Sequence, residues 1–152
     1  MTASQIDQVA CNWFVAEGLK QLYGINDFAK DTNGHWLTAN EIADYVRAHT
    51  DTWSSLGVAK DQTVLQNAAA GAANGQAVIA VMTGGAHGHV AIVLSGDLQS
   101  STTWKDAAGQ PLRVPNSAAF SLNHVDKAYV GCRLSAAFSD PSEVEIFWRL
   151  KQ

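Results

Sequence analysis

Two cysteines in 152 residues are too few for a disulfide framework; a single Cys11–Cys132 bridge is the most they allow. No apolar run approaches the roughly 20 residues that a membrane-crossing helix needs. The longest, such as Ala77–Met82, is far shorter, so no membrane insertion is expected. Lysine and arginine are scattered rather than clustered, and the formal net charge is −4. That balance argues against nucleic acid as a partner. The opening residues Met1-Thr2-Ala3-Ser4-Gln5-Ile6-Asp7 carry neither the basic nor the apolar region of a secretory leader. The expectation is synthesis in the cytoplasm without export by the signal-peptide route. No set of His, Cys and Asp at ligand spacing stands out, which predicts no metal and no cofactor. Neither a repeat nor a linker is visible, so residues 1–152 are expected to form one domain. With 47% hydrophobic and 16% charged residues, the chain has the makings of a real core.

What is present begins with helical spacing. Ile6, Val9, Ala10, Trp13, Phe14, Leu19, Leu22 and Tyr23 recur at three- and four-residue intervals, which predicts a helix with one buried stripe. Cys11, Val15 and Leu22 share a face of it, directing the thiol toward the domain. Residues 26–36 read as a loop, with turn chemistry at Asp31-Thr32-Asn33-Gly34. Thr38-Ala39-Asn40-Glu41 forms a capping box ahead of Ile42, Tyr45, Val46 and His49. A third helix is expected from about Asp61 to Asn74, with Gly75 as its stop.

The pattern then changes. Ala77–Met82 and His89–Leu94 are apolar runs joined by a glycine-rich connection, which predicts an antiparallel pair. Leu98–Pro115 is polar and turn-rich and reads as a long excursion. Ala128–Leu134 and the alternating Val144–Leu150 read as further strands. Helices first and strands afterwards predict an α+β fold, with N-terminal helices packed on an antiparallel sheet.

Chemistry is concentrated in two places. A free thiol becomes nucleophilic at neutral pH only when an imidazolium or a helix N-terminus stabilises the thiolate. Cys11, on the first helix, and His89, opening an apolar strand far along the chain, can meet in that way. His87 competes with His89, and His-x-His on a strand places both on one face. His87, however, belongs to the glycine-rich turn, and a zinc site would need a third ligand. A polar group commonly orients such a base. Asp97, Asp106, Asn116 and His124 are the candidates. Asp97 lies about 25 Å along the strand from His89 at roughly 3.3 Å per residue. Asn116 would sit beside His89 if Leu112–Pro115 pairs with the His89 strand, and is the choice made. Cys132 reads as strand packing. Trp13 and Trp148 fit core stripes; Trp36 and Trp104 are expected in loops, where they can line a groove.

The order Cys11-Asn12-Trp13-Phe14-Val15, Ala39-Asn40, Trp53, Leu56, Gly75–Ala80 and Gly88-His89-Val90-Ala91-Ile92-Val93-Leu94-Ser95-Gly96 resembles a known family. It is similar to the peptidoglycan amidase effectors of bacterial type VI secretion systems, within the papain-like NlpC/P60 and CHAP group. The resemblance covers roughly residues 5–98. It implies an NlpC/P60-type fold and a cysteine amidase or endopeptidase of peptidoglycan peptide stems or cross-links, such as the γ-D-glutamyl-diaminopimelate bond. The family's nucleophile maps onto Cys11 and its base onto His89. It further implies an antibacterial toxin handed to a secretion apparatus, acting in a target cell's periplasm, and countered by a cognate immunity protein. The rival readings are a cell-wall lysin or protein-modifying cysteine hydrolase of the same fold, and a non-catalytic binding module.

Overall fold

A helix needs a start, a stop and one apolar face, and the stretch from Asp61 to Gly75 supplies all three. The computed structural model describes residues 15, 18–20, 22–25, 27, 28, 39–82, 89–119, 129–136, 138 and 140–150. Within it, helix α1 spans Ala39–Ala48 and helix α2 spans Gln62–Ala73. Asp61 caps α2 by accepting the Thr63 N–H at 2.9 Å. Gly75, at φ +82°, lets the chain reverse while Gln76 N–H returns to the Gly71 carbonyl. Val64, Leu65, Ala68, Gly71 and Ala72 form its buried face. In α1, Glu41 in the first turn and Arg47 in the last complement the helix dipole, and Ile42, Ala43 and Val46 are buried. Thr38, the expected cap, lies outside the described residues.

Six strands form one antiparallel sheet: β1 Trp53–Val58, β2 Val78–Met82, β3 His89–Lys105, β4 Pro111–Ala119, β5 Tyr129–Arg133 and β6 Val144–Arg149. Their order is β1-β6-β2-β3-β4-β5. The predicted β2–β3 pair is present, with Ile79 opposite Ile92 and Met82 opposite His89. The central strands are apolar on consecutive positions because each face is covered by a different layer. Ile79, Val81, Val90, Ile92 and Phe147 face α1 together with Val15, Leu19 and Phe28. Val78, Ala80, Ala91, Val93 and Ile146 face α2, Trp104, Leu112 and Phe138. The architecture is therefore α+β.

Four expectations need correcting. A strand, β1, stands between the two helices, so the order is not helices first and strands afterwards. Its Ser54, Ser55 and Gly57 hid it, because β1 gets its order from pairing along β6 rather than from β-forming side chains. Leu98–Pro115 is no excursion: β3 runs on to Lys105 and returns as β4. Asp106 closes that hairpin by accepting the N–H groups of Ala108 and Gln110, each at 2.9 Å. Trp104 is fully buried on β3, not in a loop, and donates its indole N–H to the Phe138 carbonyl at 3.1 Å. Finally, Leu22 is 61% exposed, while Val15 and Leu19 are buried and Tyr23 half-buried. Each four-residue step advances the contact line by about 40°. By the last turn that line has passed to Tyr23 and left Leu22 outside.

Among the described residues, no helix is long and apolar enough to cross a membrane.

Candidate functional site

His89 is the first residue of β3 and is half-buried. Alternation along the strand groups it with Ala91 and Val93, on the α2 side of the sheet. Its ring meets the ring of buried Phe138 edge-on, with centroids 5.1 Å apart and planes at 62°. The Phe138 backbone is in turn held by Trp104. His89 is thus mounted on a rigid strand, at the end of the sheet, against a wall made by Phe138.

Cys11 and His87 lie outside the described residues, as do Trp13, Trp36 and His124. The helical residues that follow Cys11 in sequence pack on the other face. Val15 and Leu19 join the α1-side cluster, and Gly18 passes so close to β3 that a Cβ there would stand 2.5 Å from Ile92 Cδ1. From there the chain moves toward the opposite end of the sheet from His89. Asp27 pairs with Arg149, whose N–H bonds the Ala77 carbonyl just ahead of β2.

Asn116 does not orient His89. The expected β3–β4 pairing is present, but its register sets Asn116 opposite Leu94. Leu94 is five positions beyond His89, about 16 Å at roughly 3.3 Å per residue. An odd separation also puts the two side chains on opposite faces. Asn116 is engaged elsewhere: Gln99 Nε2 donates to its Oδ1 at 3.0 Å, and its Nδ2 reaches the Ser95 carbonyl at 3.4 Å. There it braces a bulge at Gly96, whose φ of +129° needs glycine. Asp106 is committed to the hairpin turn, and Asp97 is exposed beyond the bulge. Cys132 is in β5 opposite Ser117.

Two polar clusters escaped the sequence reading. Asp27 Oδ2 accepts from Trp53 Nε1 at 2.9 Å and from Arg149 Nε at 2.8 Å. Glu145 accepts from Arg47 Nη2 at 2.8 Å and from Ser55 Oγ at 2.7 Å. Asp27 and Arg149 are 122 positions apart, and Arg47 and Glu145 are 98 apart, so no local spacing announces either pair. Both fasten the helical layer to β6. Among the described residues, no group of three His, Cys, Asp or Glu side chains is placed to hold a metal ion. No protein-family model matches the chain, and no curated protein matches it.

Proposed function

We propose that the chain is a cysteine amidase of NlpC/P60 type that hydrolyses amide bonds in peptidoglycan peptide stems or cross-links. Cys11 is the nucleophile and His89 the base. The observation that carries this reading is where His89 stands: it opens a rigid central strand at the end of the sheet, with its side chain half-buried. The helical chain at Gly18 lies on that same strand at Ile92 and runs away from the His89 end. Traced backwards at about 1.5 Å per residue, a continued helix would lead toward His89.

The chemistry is acyl transfer in two steps. The thiolate attacks the carbonyl carbon, a C–S bond forms and the C–N bond breaks. The imidazolium gives its proton to the departing nitrogen. The neutral imidazole then takes a proton from water, whose oxygen attacks the thioester and releases the thiolate. The orienting partner of His89 in this scheme is a group other than Asn116. As an antibacterial effector the protein would be handed over by a secretion apparatus and neutralised by an immunity protein covering the Cys11/His89 site.

One observation favours a second reading. The His89 ring leans on Phe138 on the α2 side, whereas Val15 and Leu19 pack on the α1 side. A non-catalytic binding module, with His89 as a packing residue, fits that division directly. Mass spectrometry of digested peptidoglycan separates the two. The amidase reading expects new free amines from wild type, none from Cys11→Ala, few from His89→Ala and a near-normal yield from His87→Ala. Equal products from wild type and Cys11→Ala would end it.

A further inference from the structure

Phe138 lies outside every regular strand and helix, yet it is buried, and its surroundings hold it from two directions. Its carbonyl accepts the Trp104 indole N–H at 3.1 Å, and Trp104 itself is fully buried. Its ring belongs to the cluster of Ala91, Val93, Leu134 and Ile146. Leu134 closes this cluster from the short 3-10 turn Leu134–Ala136 that follows β5. The remaining edge of the Phe138 ring is applied to His89, at 5.1 Å and 62°.

We propose that Phe138 is a positioning residue for His89, and that Trp104 is the anchor that holds Phe138 in place. The physical basis is geometric. An imidazole on the first residue of a strand has a neighbour on only one side along the chain, so its ring plane must be set by what packs against it. An edge-to-face aromatic contact prefers one relative orientation, because the positive ring edge seeks the negative ring face. A buried indole donor with a carbonyl acceptor keeps the Phe138 backbone from sliding. Together they convert a side chain free at the end of the sheet into one with a fixed plane. The catalytic meaning of this contact rests on the reading of His89 as the general base.

The test uses nuclear magnetic resonance of the whole chain together with turnover on peptidoglycan. Wild type is expected to show a nuclear Overhauser effect between the His89 and Phe138 rings. Phe138→Leu should remove the ring-current shift of the His89 ring protons while leaving those of His49 in place. Trp104→Phe, which keeps an aromatic but lacks the indole donor, should move the His89 signals in the same direction by less. Turnover in Phe138→Leu should fall about two- to tenfold, the range one aromatic pair supports, with KM little changed. Absence of the Overhauser effect in wild type overturns the contact without any variant having to fold. Unaltered turnover in Phe138→Leu, with the His89 signals shifted, overturns the positioning role. An inert wild type with the Overhauser effect intact instead overturns the reading of His89 as a base.

Discussion

Replacing Asp27 by alanine should be among the most damaging changes outside the apolar core. Trp53 is fully buried, and its indole N–H has the Asp27 carboxylate as acceptor at 2.9 Å. Without it, a buried donor is left unpaired, at a cost of about 1–3 kcal/mol. The Arg149 partner at 2.8 Å is lost too. Arg149 keeps 18% of its side chain exposed and can turn partly to water, so its share is smaller, about 1 kcal/mol. The expected total is about 2–4 kcal/mol, set against a stability of roughly 5–15 kcal/mol for a chain of this kind. In a protein of this size the melting temperature should drop by about 10 °C. Urea unfolding followed by circular dichroism measures the effect directly. Asp27→Asn, which keeps an acceptor for the indole, should lose less. In a Trp53→Phe background, Asp27→Ala should cost clearly less than in wild type, because no indole N–H remains to be orphaned. A loss below about 0.5 kcal/mol for Asp27→Ala, the size of an ordinary surface change, would refute the reasoning.

Gly96→Ala should destabilise by about 1–3 kcal/mol, since it forces a side chain into a positive φ. The new Cβ would also stand 2.5 Å from Asn116 Nδ2; an unchanged urea midpoint would mean that the bulge re-registers freely. Burial holds the Tyr45 hydroxyl above its ordinary 10.0, with Asp27 adding to the rise, Arg149 opposing it and Asp51 adding again. The folded state therefore keeps this proton longer than the unfolded state. The contribution is intact below pH 10 and lost as pH climbs through the raised value, so Tyr45→Phe should flatten the alkaline fall in stability. Identical alkaline limbs would assign that fall to other groups. Fusion of a periplasmic leader should make the protein lytic to a Gram-negative host, and cytoplasmic expression should not. Equal toxicity in both compartments would point to a cytosolic substrate.

Local signals were legible and long-range ones were not. Asp61, Gly75 and the apolar run of β2 announce their elements because caps, stops and central strands act through neighbouring residues. The β2–β3 pair was readable for the same reason, being joined by a short glycine-rich connection. Strand β1 was not, since its order comes from β6, almost a hundred residues away. Trp104 looked like a loop residue because the polar residues around it, Ser101 to Lys105, suit one exposed edge of a long strand. What identifies Trp104 as core is a partner at Phe138, which no spacing along the chain encodes.

The candidate site failed at one definable step. That β4 pairs with β3 was inferred correctly, but an orienting group needs the right register and the right face as well. A one-residue change of register turns every side chain to the other face. Register is readable from sequence when one face is apolar and the other polar, because only one alignment buries the apolar set. At His89–Leu94 that discrimination is absent: Val90 and Ile92 are buried under one helical layer, Ala91 and Val93 under the other. A strand covered on both sides carries no mark of which side is which. The sequence could therefore name His89 as the polar residue opening the strand, but not say that its ring turns toward Phe138, nor that Asn116 turns away from it. Finding the partner that orients His89 thus means searching the α2 face at the His89 end of the sheet, where Phe138 already stands.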